Sequence, residues 1–190
     1  MRTLTIVSTT AAIAVLGVAG CGSSSSGTGA QAPTPNATES SPPGDIPDNQ
    51  AFVAYRPPGG GFSVKVPEGW SRIARRGAVT FTDKLNAISM KSAPAGKPPT
   101  AAEVRRTELP AQAQAPTLST VSRPAGRALR ITYLAPAAPN AVTGKAGTDA
   151  VERYVFFHNG RRVVLTLSGP KGADNVDPWR IVTDSLRWTR

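Results

Sequence analysis

Two predicted strands, joined by Asn159-Gly160, constrain the fold of this chain more than any other feature. They cover residues 151–158 and 161–168. Asn-Gly is the favoured two-residue type I′ turn between antiparallel strands. The sequence therefore predicts an antiparallel hairpin in the C-terminal part of the chain.

Further antiparallel strands are predicted upstream of this hairpin by shorter segments that lie between turn-forming residues. The clearest alternation places Leu129, Ile131 and Tyr133 on one face. A Pro-, Ala- and Gly-rich segment, residues 136–148, is predicted to be a loop. The additional predicted strands cover residues 61–66, 78–82, 87–91, 118–123 and 127–134.

Two helices complete the predicted fold. The first follows Thr100, which has Glu103 at the capping-box spacing, and runs to about Leu109. The second is expected to begin with Asp177 as its N-cap and Pro178 in the first helical position. Its predicted buried stripe consists of Trp179, Val182 and Leu186.

The predicted fold class is α+β, an antiparallel sheet flanked by helices, with residues 186–190 leaving the second helix as an edge strand. The chain has a single cysteine, Cys21, so no disulfide can form within it. Its stability must therefore come from a packed core.

Cys21 follows an apolar N-terminal segment that carries one arginine, Arg2, and ends in small residues, a pattern typical of an export signal. The residues Val18-Ala19-Gly20-Cys21 resemble the bacterial lipoprotein signal. That resemblance implies cleavage before Cys21, lipidation of its thiol with fatty acyl chains, and anchoring at the outer face of the cytoplasmic membrane in the cell envelope. The alternatives are a secreted protein cut nearby and a retained membrane helix.

The composition divides the chain into three parts. Residues 1–20 form the predicted lipoprotein signal peptide. Residues 21–50, rich in Ser, Gly, Pro and Thr, are predicted to be the lipidated cysteine and a disordered tether with an r.m.s. span of about 30 Å. Residues 51–190 are predicted to form one globular domain.

The domain is strongly basic, because the chain has 22 Lys and Arg against 12 Asp and Glu, and only Arg2 of the basic residues precedes residue 51. Arginine favours contact with phosphate and carboxylate. Export makes nucleic acid a poor candidate, so anionic lipid headgroups, phosphate-bearing wall polymers or an acidic protein partner are predicted. A solvated basic surface without a specific site is an equal alternative. The candidate residues are three adjacent pairs: Arg75 and Arg76, Arg105 and Arg106, and Arg161 and Arg162.

The residues 60–70, the Asn-Gly hairpin and the segment 177–188 together resemble actinobacterial lipoproteins of the LpqN/LpqT type, which share the PsbP/Mog1-like fold. The resemblance implies an α/β/α sandwich around an antiparallel sheet. It also implies an accessory or binding role, because the family is largely non-enzymatic.

The residues that could support catalysis are few. His158 is the sole histidine and precedes the hairpin turn, where a solvated role is expected. The run Gly59-Gly60-Gly61 lacks the Gly-Lys-Ser/Thr of a phosphate loop, and the sequence has no nucleophile elbow. The sequence therefore predicts no enzyme, no cofactor and no metal site. A cell-wall hydrolase is kept only as a third hypothesis.

The function expected from the sequence is that of a non-catalytic, membrane-anchored envelope lipoprotein, which binds a protein partner or an anionic envelope component. The alternative is a carrier of an apolar envelope lipid or small molecule, held in a cavity between sheet and helix. Core packing is the competing role for the aromatic residues of that cavity. These aromatic residues are Trp70, Phe156 and Trp179.

Overall fold

The computed structural model describes residues 43–75, 77–139 and 144–189. The predictions for Cys21 and Arg76 lie outside these residues. In chain order, the elements within them are β1 (Phe52–Tyr55), β2 (Phe62–Pro67), β3 (Ser71–Arg75), β4 (Ala78–Asp83), β5 (Asn86–Pro94), α1 (Ala101–Glu108), β6 (Gln114–Arg123), β7 (Gly126–Pro136), β8 (Thr148–His158), β9 (Arg161–Pro170), α2 (Val176–Asp184) and β10 (Arg187–Trp188).

The strands form two antiparallel sheets. The larger has seven strands in the order β3-β4-β5-β9-β8-β7-β6, and the smaller has the order β1-β2-β10. The predicted α+β class is confirmed, as are the predicted strands and the C-terminal edge strand. Strands β1 and β3 were not predicted, because β1 has four residues and every residue of β3 is exposed. Neither strand carries a clear alternation of buried and exposed positions.

The predicted hairpin lies at the centre of the larger sheet. Its ladder runs from Asp149 opposite Pro170 to His158 opposite Arg161. Asn159 and Gly160 have φ angles of 45° and 73°, the positive values that a type I′ turn requires. Because β9 alternates between faces, its odd-numbered apolar residues are fully buried on one side of the sheet. These are Val163, Leu165 and Leu167.

Each face of the larger sheet is covered differently. One face packs against the smaller sheet and α2, and contributes the larger hydrophobic cluster, which includes Phe62, Phe156 and Leu186. The other face packs against α1, whose Val104 is fully buried among Ile131, Tyr133 and Val155. The burial of these apolar faces supplies the packed core that a chain without an internal disulfide requires.

Helix α1 begins as predicted, with the Thr100 hydroxyl accepting the Glu103 backbone N–H at 3.2 Å. The prediction for the start of α2 is wrong. Asn175, not Asp177, occupies the N-cap, and Asp177 lies in the first turn with its carboxylate 3.0 Å from Arg180. Within the described chain, no helix is long and apolar enough to cross a membrane.

Asn175 is almost fully buried, and its side chain joins three distant parts of the chain. It accepts the backbone N–H of Ile46 at 2.8 Å and donates to Gly44 O and to Asn86 Oδ1, both at 3.0 Å. Asn86 in turn donates to Gly44 O at 2.9 Å. These bonds hold Ile46, which is 4% exposed, in the larger hydrophobic cluster. Packing with the domain therefore extends into residues that the composition assigns to the tether.

Candidate ligand cleft

The three arginine pairs occupy different parts of the domain. Arg75 ends the exposed edge strand β3, whereas Arg105 and Arg106 are exposed on α1. Arg161 and Arg162 begin β9, and adjacent residues of a strand project to opposite faces of the sheet. The two side chains of the third pair therefore have different partners.

Arg162 lies on the face of the sheet that α1 covers. Its Nη1 is 3.5 Å from Glu103 Oε1, and its Nη2 is 3.9 Å from Glu108 Oε1. Arg153 also pairs with Glu108, with 3.7 Å between Nη1 and Oε2. These contacts connect α1 to the central hairpin, so we assign Arg162 a structural role.

Arg161 projects to the opposite face, where it holds the loop of residues 56–61 between β1 and β2. Its Nη1 donates to Gly59 O and to Ser92 Oγ, both at 3.1 Å, and the Ser92 hydroxyl donates to Gly60 O at 2.9 Å. Gly61 has a φ of 69°, and a Cβ at this position would lie 2.7 Å from Arg161 Nε. Glycine thus permits both this backbone conformation and the close approach of the guanidinium.

An open cleft of about 700 Å³ lies between this loop, the β8–β9 turn and β10. Its volume falls within the range typical of small-molecule sites. Two arginines and one histidine line it, and no carboxylate is found among the lining residues that the structure describes. We call it the arginine cleft; its lining residues are Arg56, Pro57, Gly59, Gly61, Phe62, His158, Asn159, Arg161, Trp188 and Thr189.

A stacked pair of aromatic rings forms one side of the arginine cleft. The His158 imidazole and the Trp188 indole have centroids 5.2 Å apart and planes inclined by 23°. The indole Nε1 donates to Ala125 O at 2.9 Å, and Trp188 lies opposite Phe62 in the β10–β2 ladder. The indole is therefore fixed, while His158 stacks on it from an exposed position at the end of β8.

A second cleft, of about 400 Å³, adjoins the same loop and shares Pro57, Gly59 and Phe62 with the arginine cleft. Arg75 contributes to its lining. Among the described members of the three pairs, Arg161 lines the arginine cleft and Arg75 lines the second cleft, whereas Arg105, Arg106 and Arg162 line neither.

Arg56 and Trp188 were not predicted from the sequence as site residues. Arg56 precedes Pro57-Pro58 and the glycine run, and this composition indicates a loop. Its proximity to Trp188, however, depends on pairing between β2 and the distant β10.

The three aromatic residues proposed for an apolar ligand belong to the core. Phe156 is fully buried, Trp179 is 9% exposed, and Trp70 packs against the same hydrophobic cluster. None of the three lines the arginine cleft or its neighbour. Core packing was the competing role considered for them.

Two further arginines of the domain form ion pairs with carboxylates of the same domain. Arg130 Nη2 is 2.6 Å from Glu152 Oε1, and Arg123 Nε is 3.3 Å from an oxygen of Asp184. The Tyr154 hydroxyl donates to Glu152 Oε2 at 2.6 Å. The pKa of Tyr154 is raised to about 12, mainly because the phenol is buried and also because of this hydrogen bond. Because Arg123 and Arg130 already have carboxylate partners, they are less suited to bind an external anion than the arginines of the arginine cleft.

No family model matches this chain, and no curated protein matches it either. A solved Bacteroides thetaiotaomicron structure is similar over 72% of this chain, with a TM-score of 0.52 and 14% identity, and the chain spans about half (48%) of that protein. The similar structures also include PsbP and Mog1p.

The PsbP structure, from Synechocystis, has a TM-score of 0.48 and 15% identity, with coverage of 73% of this chain and 93% of that one. Mog1p of Saccharomyces cerevisiae, described as a Ran-binding protein, has a TM-score of 0.47 and 12% identity, with coverage of 73% and 96%. PsbP and Mog1p give their names to the fold that the sequence resemblance implied.

Proposed function

We propose that this protein is a non-catalytic envelope lipoprotein, anchored through lipidated Cys21, whose arginine cleft binds an anionic component of the envelope. The observation that carries the proposal is the lining of this cleft, which combines Arg56 and Arg161 with no carboxylate among the described residues. The anchor rests on the sequence motif at Cys21 and on the resemblance to LpqN/LpqT lipoproteins.

The two arginines are suited to complementary roles. Arg161 is held in place by hydrogen bonds through Nη1, so a ligand that binds its remaining N–H groups meets a preorganised guanidinium. Arg56 is exposed, and within the described residues it has no hydrogen bond or ion pair. Charge-assisted hydrogen bonds to such groups are stronger than neutral ones.

A charge reversal at Arg56 distinguishes a specific cleft from a generally basic surface. Arg56→Glu should weaken binding of polygalacturonate or poly(glycerol phosphate) about ten-fold, measured by titration calorimetry at low salt. Arg106→Glu is the matched control, because Arg106 is exposed on α1 and does not line the cleft. Equal losses in both variants would contradict a specific cleft, and no binding by the unmodified protein would contradict the proposal as a whole.

A different cleft favours the alternative of an apolar-ligand carrier. It has a volume of about 490 Å³ and lies between the larger sheet and the start of α1. Its lining includes Leu129, Val155 and Phe157, which lie on the face opposite Phe156. Native mass spectrometry of the protein purified from the envelope of its source cells tests this alternative. A bound lipid that co-purifies would support it, and the mass of the protein without a bound ligand would count against it.

A further inference from the structure

We infer that the anion bound in the arginine cleft is an acidic glycan, in which a sugar ring packs on the His158–Trp188 pair and an acidic group binds the arginines. This inference rests on the proposed function and names the ligand class. The inference depends on one observation: the two arginines and the stacked aromatic pair line the same cleft.

The aromatic pair favours a ligand that contains a sugar ring. Aromatic faces carry a partial negative charge and bind electropositive edges, and the C–H bonds on one face of a pyranose present such an apolar, weakly positive surface. His158 is exposed, and the indole beneath it is fixed by its bond to Ala125 O. A flexible anion without rings, such as a polyphosphate chain, would leave this surface unused.

The remaining lining groups suit the other parts of an acidic sugar. The guanidinium of Arg161 matches the planar geometry of a carboxylate, and Arg56 adds a second positive charge. The Asn159 amide and the Thr189 hydroxyl also line the cleft and are donors and acceptors for sugar hydroxyls. One cleft thus contains groups for the acid, the ring face and the hydroxyls.

The location of the cleft favours a glycan over a lipid headgroup of the anchoring membrane. Gly44, a residue of the predicted tether that packs against the domain, approaches Pro170 at one end of the β8–β9 hairpin, whereas His158 and Arg161 lie at the other end. Nine residue steps along a strand correspond to about 30 Å. A domain attached through residue 44 therefore presents the cleft at the end farther from its attachment.

Titration calorimetry of the full mature chain, prepared without acylation of Cys21 so that no acyl chain can insert into vesicles, tests this inference with four groups of probes. The acidic glycans are tetragalacturonate and mannose 6-phosphate; maltotetraose has rings without charge, and tetraglutamate has charge without sugar rings. Phosphatidylglycerol vesicles supply the headgroup. We expect an acidic glycan to bind at least ten-fold more tightly than the other three groups, and His158→Ala to weaken this binding about five-fold. Arg106→Gln should leave it unchanged.

The outcomes separate the ligand class from the function on which it rests. Tetraglutamate binding as tightly as the acidic glycans, or unchanged glycan binding in His158→Ala, would overturn the glycan assignment while the anion-binding function stands. Preferential binding to vesicles would also overturn it and assign the cleft to lipid headgroups. Failure of every anionic probe, polygalacturonate and poly(glycerol phosphate) included, would overturn the proposed function itself.

Discussion

A chain that begins at Ala51 is expected to have a free energy of unfolding about 3 kcal/mol lower than one that begins at Glu39. The shorter chain lacks Ile46, which is 4% exposed within the larger hydrophobic cluster. It also lacks the backbone groups of residues 44 and 46 that the buried amides of Asn86 and Asn175 bind. Chemical denaturation of the two chains, both without the signal sequence, measures the difference.

A point variant separates the loss of these contacts from the loss of chain length. In the longer chain, Ile46→Ala should lower the free energy of unfolding by at least 2 kcal/mol, because it leaves a cavity in the core. Asp48→Ala, at an exposed position two residues away, should change it by less than about 0.5 kcal/mol. Equal stability of the two chain lengths would show that residues 44–46 do not stabilise the domain.

Arg162→Glu is expected to lower the free energy of unfolding by about 2 kcal/mol. The substitution removes the ion pairs with Glu103 and Glu108 and places a third carboxylate beside them. The side chains of Arg162 and Glu108 are 26% and 15% exposed, so solvent screens these charges only in part. Thermal and chemical denaturation both report the loss, and the anion affinity of the folded protein should change little.

Arg106→Glu is again the matched control. It makes the same charge change on an exposed position of α1, where the described structure records no ion pair for Arg106, and should alter stability by less than about 0.5 kcal/mol. Equal stability losses in the two variants would contradict the structural role of Arg162. Reversing Arg161 and Arg162 together would combine a change in the cleft with a loss of stability, so the two positions require separate variants.

Local patterns were sufficient to predict most elements of the fold. The Asn159-Gly160 turn between two predicted strands predicted the central hairpin, because turn geometry is set by a few neighbouring residues. The start of α2 was predicted incorrectly for the opposite reason. Asp177 has the right local chemistry for an N-cap, but Asn175 occupies that position with its side chain bonded to distant residues.

The candidate cleft was harder to predict from the sequence than the fold. Arg161 was identified as part of a basic pair, but its separation from Arg162 depends on the two faces of β9 having different covering elements. Arg56 and Trp188 are far apart in the chain and meet through strand pairing across the smaller sheet. No local pattern encodes such proximity.

The sequence by itself determined most of the strands, the presence of both helices, the antiparallel hairpin and the basic character of the chain, because periodicity, turn chemistry and composition are local or additive properties. Only the tertiary structure decided which arginine supports α1, which lines a cleft beside stacked rings, and where the packed domain begins. These depend on burial and hydrogen bonding between residues separated by up to 131 positions, which are established only when the chain is folded.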